Sequence, residues 1–141
     1  MGIRERKQAV HDVLAAYAAS DAAALRVLLT NDVVWWVPPS AAGRYPRPIS
    51  GIDAVLDVLA GPSRSYRKPT IRWTVHHIVG DEGDIVMANA SMTAVLINGN
   101  PYANDYCYVF RFEGDRIAEG TEYADTAYAM QLGSTPPATK T

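Results

Sequence analysis

Three carboxylates crowd the stretch RIAEGTEYAD, namely Glu119, Glu122 and Asp125, and two tyrosines, Tyr106 and Tyr108, alternate along NDYCYVFRF at 104–112. A carboxylate held among phenols and small residues loses water, so its pKa rises toward neutrality and it can act as a general acid or base. Phenol hydroxyls beside it could donate to an oxygen that gains charge during reaction. Asn104, Tyr106 and Tyr108 fall on one side of a strand's alternation, in phase with Phe110 and Phe112. A face that only covers a core would read Val, Ile and Leu; a wetted face would carry Lys, Glu and Thr. Amide and phenol groups running into aromatics fit the wall of a ligand cavity.

Which carboxylate meets that row depends on register. Strand patterns are expected at 70–79, 85–97, 102–113 and 116–124, joined by GDEGD, Asn98-Gly99 and Glu113-Gly114-Asp115. Asn-Gly between alternating strands favours a two-residue hairpin turn, which makes paired residue numbers sum to 197. Asn89 then faces Tyr108, Ser91 faces Tyr106 and Thr93 faces Asn104, so Asn89 and Ser91 join the polar row. Alternation alone also allows that row to be wet, with the Ala88, Ala90 and Met92 face as core, but Phe110 in phase with it and the shortage of charges speak against this. A three-residue loop at 113–115 places Glu122 opposite Tyr106; a two- or four-residue loop brings in Glu119, Thr121 and Tyr123 instead. The residues alone leave both registers open.

The elements that must position this row follow from periodicity and punctuation. Residues 4–18 read as an amphipathic helix with Val10, Leu14, Tyr17 and Ala18 on one stripe. Asp21 caps a second helix, AAALRVLL. DVVWWV at 32–37 is a strand ended by Pro38-Pro39. A proline-rich loop follows, then a helix over 51–60 capped by Ser50, then a loop whose basic cluster RSYRK at 64–68 is expected to be solvated. Asp125 caps a final turn, TAYAMQ. Helices followed by a meander of antiparallel strands argue for one α+β domain over 1–132, with a disordered tail at 133–141.

With 141 residues, 20% charged, 48% hydrophobic and a net charge of −2, nothing global calls for nucleic acid. No apolar run approaches the length that spans a bilayer. Cys107 has no second cysteine to pair with, which fits a reducing, cytoplasmic setting. His76 and His77 are adjacent, so at most one faces inward, and His11 falls on the solvent side of the first helix. No histidine pair has metal-ligand spacing beside a carboxylate, and no nucleotide-binding or nucleophile-elbow motif occurs, so neither a metal nor an organic cofactor is expected.

The order LRVLLTNDVVWWVPP, then GIDAVLDVLAG, then NGNPYANDYCYVFRFEGDRIAEGTEYADT resembles the SnoaL-like and ketosteroid-isomerase-like proteins of the nuclear-transport-factor-2-like superfamily, over about residues 8–130. The resemblance implies a cone: a strongly bent, mostly antiparallel sheet with three helices of the N-terminal half closing a deep pocket. It matches Tyr108 to the position of an oxyanion donor and Glu122 to that of a catalytic aspartate in polyketide-cyclase-like members. It places Trp36, Leu14 and Tyr17 toward the pocket and makes the convex sheet face, with Asp105 and Cys107, a homodimer surface. The sequence departs from two known mechanisms. Asn89 and Ser91 stand where epoxide hydrolases of this fold carry Arg and Asp, and Val37 stands where steroid isomerases carry their base.

The expectation is therefore a cofactor-free isomerase, cyclase or lyase. Glu122 and Tyr108 are its catalytic pair, and a hydrophobic cyclic or aromatic substrate lies against Trp36, Tyr17, Leu14, Trp73, Asn89, Ser91, Asn104 and Tyr106. The alternatives are a non-catalytic ligand-binding or dimeric interaction module and, less favoured, an epoxide hydrolase.

Overall fold

The computed structural model describes residues 2–41 and 43–134. Four helices, α1 (Ile3–Ala19), α2 (Ala22–Leu28), α3 (Ile52–Leu59) and α4 (Thr126–Ser134), accompany six strands. The strands are β1 (Leu29–Trp36), β2 (Ile49–Ser50), β3 (Arg72–Gly80), β4 (Ile85–Val95), β5 (Pro101–Glu113) and β6 (Arg116–Ala124). They form one curved, open sheet in the order β2-β1-β6-β5-β4-β3. Every pairing is antiparallel except β1 with β6, which is parallel. The sheet is thus mixed, with a meander at one side and a crossover from the N-terminal half at the other.

The core lies between the concave face and the helices. From α1 come Ala9, Val10, Val13, Leu14 and Ala16; from α3, Val55, Leu56 and Leu59; from β4, Val86, Ala88, Ala90, Met92 and Ala94. Their 3.6-residue and two-residue spacings meet across the layer boundary, and burying apolar area there supplies most of the stability. β1 begins at Leu29, earlier than the run 32–37 suggests, because Leu29 pairs with Ile117 and both are fully buried.

Caps follow local chemistry with one exception. Asp21 Oδ1 accepts the amide of Ala24, and Asp125 Oδ1 accepts that of Tyr128 at 3.1 Å, opening α2 and α4. The cap of α3 is Gly51 with φ +89°, a conformation glycine adopts freely; Ser50 instead sits in β2 and caps nothing. Helix α4 runs through Gly133 and Ser134, so those two residues of the expected tail are ordered; the rest of the tail lies outside the described residues.

Arg6 of α1 reaches across to two hairpins at once. Its guanidinium donates to the carbonyl of Gly83 in the β3–β4 turn at 2.6 Å and to that of Gly114 in the β5–β6 turn at 3.3 Å, and stacks over Phe112. In the basic loop at 64–68 Arg64 and Arg67 are exposed, as expected, whereas Lys68 is engaged. Lys68 Nζ donates to the carbonyls of Tyr17 and Leu59 and lies 3.7 Å from the centre of the Tyr17 ring. Partial burial lowers its pKa to about 8.

Candidate active site

Two turns set the faces of the sheet. At the β4–β5 hairpin the amide of Gly99 bonds to Leu96 O, the amide of Leu96 bonds to Asn100 O, and Gly99 has φ +91°. This is a three-residue loop with glycine in its left-handed position, not a two-residue turn. Paired numbers therefore sum to 196: Ala90 faces Tyr106, Ala88 faces Tyr108 and Met92 faces Asn104. At the β5–β6 hairpin a two-residue turn, Gly114-Asp115, starts from the pair Glu113 and Arg116, and an extra residue, Ala118, then bulges out of β6. That bulge restores the parity the short turn would have reversed, so Glu122 pairs with Tyr108 and Gly120 with Phe110 on the concave face.

Glu122 therefore lies inside the cone, retaining only partial solvent contact. It forms no ion pair among the described residues. Desolvation raises its pKa to about 7, partly offset by the indole N–H of Trp35. That N–H is buried and falls short of hydrogen-bonding geometry to any partner, as does the indole N–H of Trp73. Burial, then the neighbouring Glu122 carboxylate, hold the Tyr108 phenol well above its ordinary value; the same two causes act on Tyr17. These hydroxyls stay protonated and available as donors.

Around them the rings form an ordered wall. Tyr106, Tyr108 and Phe110 stack along β5 with interplanar angles of 9° and 4°. Trp73 from β3 meets Tyr106 and Tyr108 edge-on and touches Tyr17 of α1, while Trp35 from β1 covers Tyr108 and Phe110. Gly120 is required beneath Trp35, since a Cβ there would lie 2.5 Å from the indole ring. At the far end of the wall the hydroxyls of Tyr66, Tyr102 and Tyr106 cluster, 2.6 Å separating Tyr102 from Tyr106 and 3.1 Å separating Tyr66 from Tyr106. Two shallow surface hollows, one between α1 and α2 and one between α2 and α3, lie outside the cone and contain none of these groups. They lack the convergent donors and the desolvated carboxyl, so the chemistry points to the cone.

The model of the SnoaL-like domain matches residues 10–120. The chain belongs to the SnoaL-like domain family. Solved structures share the fold at low identity. An NTF2-like protein of unknown function from Burkholderia pseudomallei K96243 superposes with a TM-score of 0.81 at 19% identity, covering 93% of this chain and 98% of its own. TerC, crystallised with polyporic acid, gives 0.80 at 16% identity, with 93% and 99% covered. A candidate SnoaL-like polyketide cyclase from Jannaschia sp. CCS1 gives 0.72 at 16%, with 93% and 94% covered. No match was found among curated proteins.

Within this SnoaL-like cone the expected site residues divide. Glu122, Tyr108, Tyr106, Tyr17 and Trp73 come together; Leu14 is core beneath them. Trp36 does not: it shares a face with Thr121, and its ring packs under Arg47 on the outer side. Its neighbour Trp35 is the inward tryptophan, a residue that the run VVWW leaves undetermined until the parity of β1 is known. Asn89 and Ser91 lie on the convex face, displaced by the one-residue difference in register. Ser91 Oγ there donates to Asp105 at 2.6 Å and lies 2.7 Å from His76 Nε2. His76 is the extra residue of a bulge in β3, and both histidines are exposed, so neither enters the cone.

Asn104 faces inward, but its amide is fully committed. Its oxygen accepts the backbone N–H of Asp105, and its nitrogen donates to Asp125 O and to the Tyr102 hydroxyl. It ties β5 to α4 rather than presenting a free group. Tyr66 and Tyr102 were not among the expected residues. Tyr102 was visible in principle, in phase with Tyr106, whereas Tyr66 lies in a loop with no periodic signal.

Proposed function

We propose that the cone is a small-molecule site at which Glu122 transfers a proton, in a cofactor-free isomerase, cyclase or lyase acting on a hydrophobic cyclic or aromatic substrate. The observation that carries this reading is a carboxyl on the inner face of the cone, only partly open to solvent and with no cationic partner among the described residues, its pKa pushed to about 7. At neutral pH both forms are populated, so one residue can remove a proton from carbon beside a carbonyl and return it elsewhere. Tyr108, paired with Glu122 across the sheet, is a donor for the oxygen that becomes an enolate, and the indole N–H of Trp73, without a partner among the described residues, is a second. Family membership and a fold neighbour crystallised with an organic acid are consistent with a small organic ligand.

The test uses 2-tetralone, a cyclic ketone with acidic protons beside its carbonyl. Wild-type protein should accelerate their exchange in D2O, followed by proton NMR, and Glu122→Gln should abolish the acceleration while still binding the ketone. Absence of exchange with the wild-type protein, despite binding, would favour the rival reading of a non-catalytic ligand-binding module. One observation favours that rival: the Tyr66, Tyr102 and Tyr106 hydroxyls already bond one another. Epoxide hydrolysis gains no support, because the relay positions, Asn89 and Ser91, face away from Glu122.

We also propose that the convex face pairs two copies of the chain, since it exposes Val79, Ile85, Met87 and Tyr123. Analytical ultracentrifugation should give a dimer that Met87→Glu with Tyr123→Glu converts to monomer. Among the described residues no helix is long and apolar enough to cross a membrane, and the unpaired Cys107 accords with a cytoplasmic location.

A further inference from the structure

The hydroxyl cluster has a direction, and the backbone sets it. Asn104 Oδ1 accepts the amide of Asp105 at 2.8 Å, and Nδ2 faces the carbonyl of Asp125 at 3.1 Å. One backbone group can only donate and the other can only accept, so the amide has a single orientation. Nδ2 must then donate its other hydrogen to Tyr102 Oη, 2.7 Å away. Either phenol could donate across the 2.6 Å contact between Tyr102 and Tyr106, but donation from Tyr106 would leave the buried Tyr102 proton only the 3.5 Å contact to Tyr66, so Tyr102 donates. Donors in series polarise one another in this sense. The proton of Tyr106 passes in turn to Tyr66 at 3.1 Å.

Among the described residues the last proton, that of Tyr66, has only a return contact of 3.5 Å to Tyr102, far beyond the usual O–H···O separation of about 2.7–2.8 Å. Tyr102 and Tyr106 are 3% and 5% exposed, whereas Tyr66 is the one member of the three that is partly exposed. Its backbone is held by a bond from its amide to Ser63 Oγ at 2.8 Å and by a bridge to Leu96, and its ring packs against that of Tyr102 at 5.2 Å, which together position the hydroxyl.

We propose that Tyr66 is a ligand-binding donor, the free end of a relay that runs from Asn104 through Tyr102 and Tyr106, and that it selects ligands carrying a second oxygen acceptor. This rests on the cone being the small-molecule site. The rings of Tyr106 and Tyr108 stack with centroids 6.0 Å apart, so the Tyr66 hydroxyl lies beyond the Tyr106 end of the wall and Glu122 opposite its Tyr108 end. A planar ligand with one oxygen at Glu122 and Tyr108 would bring a carbonyl, ether or phenol oxygen on its opposite edge to Tyr66. Burial, then the Tyr102 oxygen, keep Tyr66 protonated through the neutral range, so it donates and does not carry charge.

Three probes separate the possibilities: 2-naphthol, naphthalene-2,6-diol and 6-methoxy-2-naphthol, titrated by quenching of tryptophan fluorescence. Wild-type protein should bind the diol about tenfold more tightly than 2-naphthol, as one added hydrogen bond allows. The methoxy compound, which accepts but cannot donate at that edge, should stay within about threefold of the diol. Tyr66→Phe should remove the diol's advantage and leave 2-naphthol unchanged; Glu122→Gln should weaken all three. Equal binding of diol and 2-naphthol by the wild type, or an undiminished advantage in Tyr66→Phe, overturns the role of Tyr66 while the cone remains a site. A methoxy compound reduced to the level of 2-naphthol overturns the donor direction, and this comparison needs only the wild-type protein. If wild-type protein binds none of the probes, the reading of the cone falls, and this one with it.

Discussion

Replacing Glu122 with glutamine removes a charge whose burial has a pH-dependent cost. In the folded chain its carboxyl titrates at about 7, against 4.5 when exposed. The folded state therefore binds the proton more tightly than the unfolded state, and stability falls as pH rises between those values. Below pH 4.5 both states hold the proton and the contribution is complete; above pH 7 it is lost. The difference between 4.5 and 7 corresponds to about 3 kcal/mol, an upper limit because Glu122 keeps partial solvent contact. Glutamine has the same shape and no titration, so the wild-type minus Glu122→Gln stability difference isolates this group from the other carboxylates. Urea unfolding at pH 4.5, 5.5, 6.5 and 7.5 should show the variant gaining on the wild type by about 2–3 kcal/mol across the series. Lys68 does not intrude, since its lowered value of about 8 acts at higher pH, where stability would rise with pH. A difference that stays flat to within about 0.5 kcal/mol, or that runs the other way, would refute a desolvated carboxyl and with it the acid–base role.

Other substitutions test the supports of the site. Gly120→Ala drives a methyl into the Trp35 ring and should cost about 1–3 kcal/mol, read from thermal unfolding together with a shifted tryptophan emission; an unchanged spectrum would mean that Trp35 does not lie over residue 120. Asp125→Ala removes the acceptor for the Tyr128 amide and should cost about 1 kcal/mol, with faster amide exchange confined to α4; exchange spread through the sheet would argue against a local cap. Deleting Ala118 removes the bulge of β6 and should reverse the facing of one side of it, abolishing the carboxyl titration near pH 7 in carbon-detected NMR; its survival would show that the bulge does not set the parity.

The order of elements, the cone fold and the inward row of β5 were legible because they rest on periodicity and punctuation, which act locally. The facing of the polar row beyond β5 depended on counting one residue across a turn. Asn98-Gly99 carries the chemistry of a two-residue hairpin, yet Ile97 joins the loop and Gly99 takes the left-handed position, so Asn89 and Ser91 moved to the convex face. Glu122 reached the cone although the β5–β6 loop is of the shorter kind, because Ala118 bulges; nothing in IAEG marks an alanine as the unpaired residue. Trp36 was expected inward from the resemblance alone, and the pairing of Trp35 with Gly120 turns Trp35 inward instead. Tyr66 had no signal at all: its partners, Tyr102 and Tyr106, lie 36 and 40 residues away.

Arg6 gives the domain a mechanical character that its hydrogen bonds alone do not convey. One guanidinium grips the β3–β4 and β5–β6 turns, which belong to different hairpins, from the first turns of α1. Fraying at the amino end of the helix therefore slackens two hairpins together. The N-terminal helix acts as a latch on the sheet, and opening of these two turns would be one concerted event rather than two independent ones.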